Sequence, residues 1–249
     1  MSGLTELRLA ATDLSRRSNQ AEWLDGADLP PDELELVLRD LARFNGAMLG
    51  HRPVLTWLRD AVKAARKVET KSATLTLIDV GCGYGDLLRA IRRWADRRGI
   101  AMRLIGVDLS AETIHIAQKA TGAEERIEYH AADIFAFDAG AQPNFIVSSL
   151  LTHHFSDAQI VQFLRWMERT ARSGWFIYDL QRHPVPFYFI GLMGGLTRLH
   201  RVVIHDGRIS VARSLTRREW LARLAEAGIE RNSVQLRWFL FRFAIGRLR

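Results

Sequence analysis

The chain reads as an α/β protein built on a doubly wound, mostly parallel sheet, with N-terminal helices and a lid insertion. Three observations predict this. Short apolar runs alternate with longer amphipathic ones between about residues 73 and 180. A glycine-rich turn, Gly81-Cys82-Gly83-Tyr84-Gly85, follows the first of those runs, and an acid, Asp108, closes the second. Strand–helix alternation at this spacing generates right-handed βαβ units, whose parallel sheet is covered on both faces.

Taken in order, residues 1–70 form an N-terminal helical segment, and residues 71–249 the main domain, interrupted by an insertion at 181–215. The helical pattern begins at Leu4. Pro30-Pro31-Asp32-Glu33 opens a helix with proline and early acids, and Leu34, Val37, Leu38 and Leu41 follow at helical spacing. Asn45-Gly46 and Gly50-His51-Arg52-Pro53 punctuate a second helix, with Val54, Leu55, Leu58, Ala61 and Val62 as its apolar face. Strands are predicted at 75–80, 103–108, 127–131, 144–150 and 174–180, and helices at 87–97, 111–120 and 157–171. The first and fourth strands are nearly continuous apolar runs, as strands covered on both faces should be. After Leu180 the alternation stops. The insertion is predicted to be irregular, strand-like at 201–204 and 209–212 with Asp206-Gly207 as a turn. A helix capped by Thr216 then runs to a Gly228 stop. Residues 233–237 and 239–245 finish as strands of a terminal hairpin.

Composition narrows the functional classes. With 48% hydrophobic and 25% charged residues over 249, the chain resembles ordinary soluble globular proteins and is long enough for a core without staples. The single cysteine, Cys82, excludes an internal disulfide framework and a cysteine-based zinc site, so a reducing cytoplasm is the expected setting and no metal site is expected. The N-terminal residues lack the apolar core of a secretory signal. The longest apolar stretch, 184–196, falls short of the roughly 20 residues a membrane span needs. The net charge of +7 is almost wholly arginine and is spread along the chain. From Arg231 onward there are five arginines and no acid, which form either a solvated basic edge or a patch for phosphate or anionic lipid.

The stretch Ile78-Asp79-Val80-Gly81-Cys82-Gly83-Tyr84-Gly85-Asp86 lies between the first strand and its helix. Glycines there let the backbone turn sharply and approach a ligand at a helix N-terminus. Asp108, at the end of the next strand, can accept both hydroxyls of a ribose, so the pair reads as a nucleotide site at the carboxyl edge of an open sheet. The spacing is G-x-G-x-G, which departs from the dinucleotide fingerprint G-x-G-x-x-G. Asp79 before the glycines suits a ligand with an amino group and a cation, as in S-adenosyl-L-methionine (SAM).

Asp79-Val-Gly81-Cys-Gly83-Tyr-Gly85, Gly106-Val-Asp108-Leu-Ser110, Ala132-Asp133-Ile134 and Ser148-Ser-Leu-Leu-Thr-His-His-Phe155 together resemble the ordered motifs of Rossmann-like class I SAM-dependent methyltransferases. The similarity is to the small-molecule branch that includes quinone-biosynthesis and polyketide-tailoring enzymes. It covers about residues 73–180 and 216–228. The resemblance implies SAM as cofactor and S-adenosyl-L-homocysteine (SAH) as product. It implies that Gly81, Gly83 and Gly85 surround the methionine portion, fixed by Asp79, while Asp108 binds the ribose. Leu109 and Ile134 would flank the adenine, Asp133 would accept from its amino group, and Ser148 and Ser149 would lie near the sulfonium. Arg52 is a candidate for the methionine carboxylate.

For the acceptor, His153 and His154 follow the fourth strand at the edge where the methyl group should lie. A histidine there can act as base near neutral pH, and Asp179, ending the fifth strand, can orient it. The aromatic insertion places Phe187, Tyr188 and Phe189 as a lid over an apolar acceptor. Contact of this segment with a membrane surface is the other function it suits. Base methylation of nucleic acid is not expected, because Ser148-Ser149-Leu150-Leu151 stands where such enzymes carry Asn/Asp-Pro-Pro-Tyr/Phe. No three-oxygen ligand cluster of the metal-dependent catechol type is visible. The expected activity is O-methylation of an aromatic or polyketide-like small molecule. C-methylation of a quinone or lipid-like precursor, and a non-catalytic SAM-binding partner subunit, remain as alternatives. The sequence is silent on oligomeric state.

Overall fold

The computed structural model describes residues 13–26, 29–68, 73–138, 140, 142–196 and 199–249. The expected helical pattern from Leu4 to residue 12 lies outside them. Three helices come first: α1 (Trp23–Gly26), α2 (Pro31–Ala47) and α3 (Arg52–Ala65). The alternating region follows as β1 (Leu75–Val80), α4 (Asp86–Asp96), β2 (Met102–Asp108), α5 (Ala111–Lys119), β3 (Ile127–Ala131), β4 (Phe145–Ser149), α6 (Asp157–Thr170) and β5 (Gly174–Leu180). Then come α7 (Pro184–Leu196), α8 (Arg201–Arg213), α9 (Arg217–Glu226), β6 (Gln235–Phe239) and β7 (Arg242–Leu248). No helix among the described residues is long and apolar enough to cross a membrane.

The seven strands form one sheet in the order β3-β2-β1-β4-β5-β7-β6. All pairings are parallel except those of β7, which runs antiparallel between β5 and β6. Alternate residues of β1 face two cores. Leu75 and Leu77 pack with Trp57, Leu58, Leu88 and Ile91 on one side, and Ile78 and Val80 pack with Phe163, Leu164 and Trp220 on the other. The α3 helix is therefore part of the sheet's covering layer, with Trp57 stacked on Phe176 at 5.2 Å and edge-on to Phe145. Two capping boxes start the opposite layer. Ser156 and Gln159 cap α6, and Thr216 and Glu219 cap α9, so local sequence sets where these helices begin.

The insertion departs from expectation. Residues 201–204 and 209–212 are not strand-like pieces around a turn but parts of one helix, α8, with Gly207 in its interior. The run of Val and Ile gave a strand signal, yet the buried positions Val202, Val203, Asp206, Ile209 and Ser210 recur at helical spacing. Packing decides the outcome. Asp206 accepts the amides of Trp23 at 2.9 Å and Leu24 at 3.0 Å, and Val202 and Val203 bury against Val37 of α2. The Pro- and Gly-punctuated stretch before it is likewise helical, as α7.

Candidate functional site

Strand order reverses between β1 and β4, and the crevice at such a switch point is where open α/β sheets bind ligands. A cavity of about 680 Å³ opens there. Its floor is the turn after β1, where Gly81, Gly83 and Gly85 have φ of 70°, 50° and 73°, values that favour glycine. A Cβ at Gly83 would meet open space, whereas one at Gly85 would collide with the Tyr129 hydroxyl. Gly83 therefore borders the cavity and Gly85 serves close packing.

Asp108 ties this floor together. Its Oδ2 accepts the Gly83 amide at 3.0 Å and its Oδ1 accepts the Ser110 amide at 3.1 Å. Burial raises its carboxyl pKa, against the pull of those amides. Asp79 is more extreme. Buried on β1, it leaves Oδ1 without a hydrogen-bond partner, and burial, then the charges of Asp86 and Asp108, push its pKa well above the ordinary carboxylate value. Leu109 is 79% exposed and borders the same cavity, as do Asp133, Ile134 and Ser149.

The remaining expected residues lie elsewhere. Ser148 is buried and donates to the Val80 carbonyl at 3.0 Å, so it latches β4 to β1. Arg52 is exposed and faces a separate groove beside Trp94 and Arg98. One residue earlier, at the N-cap of α3, His51 borders both that groove and the cavity and bonds Asp86 at 2.7 Å. The aromatic trio does not line the cavity. Phe187 is buried with Leu180 and Val211, Tyr188 is exposed, and Phe189 packs on Phe241. Helix formation explains this, because successive residues of α7 point about 100° apart. The cover is made instead by Ile190, Val203 and Ile204, with Leu38, Leu41 and Phe44 of α2.

At the far end of the cavity stands the 3₁₀ turn Thr152–His154. His153 is 4% exposed, and its Nδ1 lies 2.7 Å from Asp179 Oδ1. The Asp179 carboxylate also accepts from Thr152 Oγ1, from the His153 amide at 3.0 Å and from the Leu180 amide at 2.7 Å. Burial alone would raise its pKa, but the charge and hydrogen bond of His153, then Thr152 and the Leu180 amide, hold it below the ordinary value. Arg213 bonds the carbonyls of His153 and His154 at 3.2 Å each, and Arg17 bonds that of Phe155 at 2.9 Å, which fixes the turn.

Sequence reasoning missed several groups here. Glu22 is buried, accepts from Ser210 Oγ at 2.8 Å, and faces both histidines; burial pushes its pKa up to about 7 despite the charge of His154. Asp25 lies 3.1 Å from His154 Nδ1. Arg242, at the start of β7, is buried at the cavity wall, bonds Asn45 Oδ1 at 2.8 Å and lies over the Tyr178 ring. None of these carries a local motif, and Glu22 is more than a hundred positions from the histidines it meets.

The doubly wound sheet with a glycine turn after β1 and an acid ending β2 defines a ligand-binding domain of the class I methyltransferase fold. Residues 77–174 match the family model described as a methyltransferase domain. Among solved structures, the chain is similar to the plantazolicin methyltransferase BpumL in complex with SAH, at 16% identity over 88% of this chain and 97% of that one, with a TM-score of 0.59. Human N-acetylserotonin methyltransferase in complex with SAM matches at 17% identity over 92% of this chain and 63% of that one, with a TM-score of 0.60. The magnesium protoporphyrin IX methyltransferase of Synechocystis PCC 6803 with bound SAH matches at 14% identity over 82% and 83%, with a TM-score of 0.53. At these identities the likeness is one of fold. A comparison with curated proteins gives no match.

Proposed function

We propose that this chain uses SAM to methylate a hydroxyl group of an apolar, aromatic or polyketide-like small molecule. The observation that carries the reading is the single cavity joining the glycine turn to the Glu22–His153–His154 cluster under an apolar cover. Its volume lies within the roughly 300–1,000 Å³ usual for small-molecule sites. The residues present fit SAM, which supplies the methyl group: open space at Gly83 admits a ligand, and the orphaned Asp79 oxygen calls for a cation. Gly81 and Gly83 would border the methionine portion, Asp108 the ribose, and Leu109, Asp133 and Ile134 the adenine. Leu38, Leu41, Ile190 and Val203 would exclude water and orient the acceptor, which is most of what an in-line displacement requires. The acceptor hydroxyl would donate toward the histidine–glutamate cluster, with Nε2 of His153 or His154 taking the proton and Asp179 orienting His153.

The test uses SAM carrying a labelled methyl group and a panel of apolar phenols. Label recovered as an O-methyl ether supports the reading. Label on ring carbon favours C-methylation of a quinone-like precursor instead, and SAM binding without transfer to any acceptor favours a partner subunit.

A second expectation follows from Asp79. Its raised pKa keeps it protonated above the usual carboxylate range, and the ammonium of a bound SAM would favour the ionised form. Binding should therefore release protons at pH values between the ordinary carboxylate pKa and the raised one. Calorimetry in buffers of different ionisation enthalpy reads this directly. The release should vanish in Asp79→Asn, and proton uptake by the parent would contradict the placement.

A further inference from the structure

We infer that Glu22, His153 and His154 form a binding site for a divalent transition cation of the zinc class, open toward the cavity. The tautomers come first. Both imidazoles place Nδ1 on a carboxylate, His153 on Asp179 at 2.7 Å and His154 on Asp25 at 3.1 Å. Carboxylates accept, so each Nδ1 carries a hydrogen, and in the neutral ring Nε2 presents a lone pair. Those lone pairs converge on one carboxylate: His153 Nε2 lies 3.6 Å from Glu22 Oε1, and His154 Nε2 lies 3.8 Å from Oε2. The three ligand atoms all lie within 4.8 Å of one another. Separations of 3.6 and 3.8 Å are too long for hydrogen bonds. They suit an ion at about 2.0–2.2 Å from each atom. With both rings neutral, the three groups face one another as acceptors, an arrangement that a cation among them would stabilise.

The surroundings are those of a built site. Histidine ligands of metals commonly donate their other ring N–H to a carboxylate, which fixes the ring, and here both do so. The ligand atoms are also held from behind. Ser210 bonds Glu22, Asp206 fixes the amides of Trp23 and Leu24 beside it, and Arg213 pins the carbonyls of His153 and His154. Two imidazoles and one carboxylate favour zinc, cobalt or iron over magnesium or calcium, which prefer oxygen donors. Three protein ligands leave a position for an exogenous oxygen, and all three residues border the cavity. The identity of that oxygen, the acceptor hydroxyl, rests on the proposed methyl transfer; the cation site itself does not. With the cation bound, Glu22 and the histidines would hold it rather than take a proton; the cation would position the acceptor oxygen and lower the pKa of its hydroxyl, whose proton would leave to solvent through the cavity.

The experiment uses the full-length chain without a histidine tag, stripped by a chelator and titrated with Zn²⁺ in competition with a chromophoric chelator. One bound equivalent is expected, and Co²⁺ should give visible d–d absorption. Glu22→Gln and His154→Ala should each weaken Zn²⁺ by about 100-fold or more, and Asp25→Asn by about 10- to 100-fold. Cys82→Ser should leave it unchanged. His154 is only partly buried, so its variant keeps the test valid if Glu22→Gln fails to fold. Absence of stoichiometric binding by the folded parent, or parent-like affinity in both ligand variants, would overturn the site. SAM titration of the same preparations separates the two ideas. SAM binding without Zn²⁺ binding refutes the cation site alone, and Zn²⁺ binding without SAM binding refutes the methyl-transfer reading alone.

Discussion

Asp179→Ala should be among the most damaging substitutions in the molecule. The carboxylate is 2% exposed and accepts from Thr152 Oγ1, the His153 amide, His153 Nδ1 and the Leu180 amide. Removing it leaves buried donors without a partner and His153 without its anchor. Breaking a buried pair of this kind costs about 3–5 kcal/mol. For a chain of this size that lowers the melting temperature by roughly 10 °C. Thermal unfolding followed by circular dichroism checks the figure, and a parent-like melting temperature would mean that Asp179 does not organise the turn. Under the proposed methyl transfer, kcat should also fall by about 10²- to 10⁴-fold, with SAM affinity nearly unchanged, because the residue acts through His153. Loss of SAM affinity in parallel would point to general collapse of the site.

The glycine turn gives the second large effect, as a contrast between neighbours. Gly83→Val should keep the fold, since its Cβ meets nothing within 4 Å, at a conformational cost of about 1–2 kcal/mol for φ of 50°. Its side chain would occupy the space assigned to SAM, so affinity should drop by about 100-fold, close to 3 kcal/mol. Gly85→Val should do the reverse. It adds the same kind of backbone strain to a collision with the Tyr129 hydroxyl, so stability should fall by roughly 3–5 kcal/mol. Melting temperatures and calorimetric SAM affinities for both variants separate ligand space from packing. Unchanged affinity in a folded Gly83→Val chain would remove the loop from the cofactor site.

What could be read from the amino-acid order is what is encoded locally. The strands and helices between residues 75 and 180 appear within a residue or two of their expected bounds, because apolar periodicity and caps such as Ser156-x-x-Gln159 act over a few positions. The turn after β1 and Asp108 were visible for the same reason: each sits at a strand end that its own neighbours define. The register of β7 between β5 and β6 was not, since hairpin signals do not say which edge a strand joins. The helix α8 was masked by its Val and Ile residues, whose strand preference yielded to burial against α1 and α2. The cluster at the end of the cavity was half visible. His153, His154 and Asp179 follow strand ends and could be placed on one edge of the sheet, but Glu22 and Asp25 lie in an N-terminal segment with no motif. Only packing of that segment on α8 brings their carboxylates to the two imidazoles. Local sequence thus determined the elements and the ends of the strands, while long-range burial decided which charged groups those ends would meet.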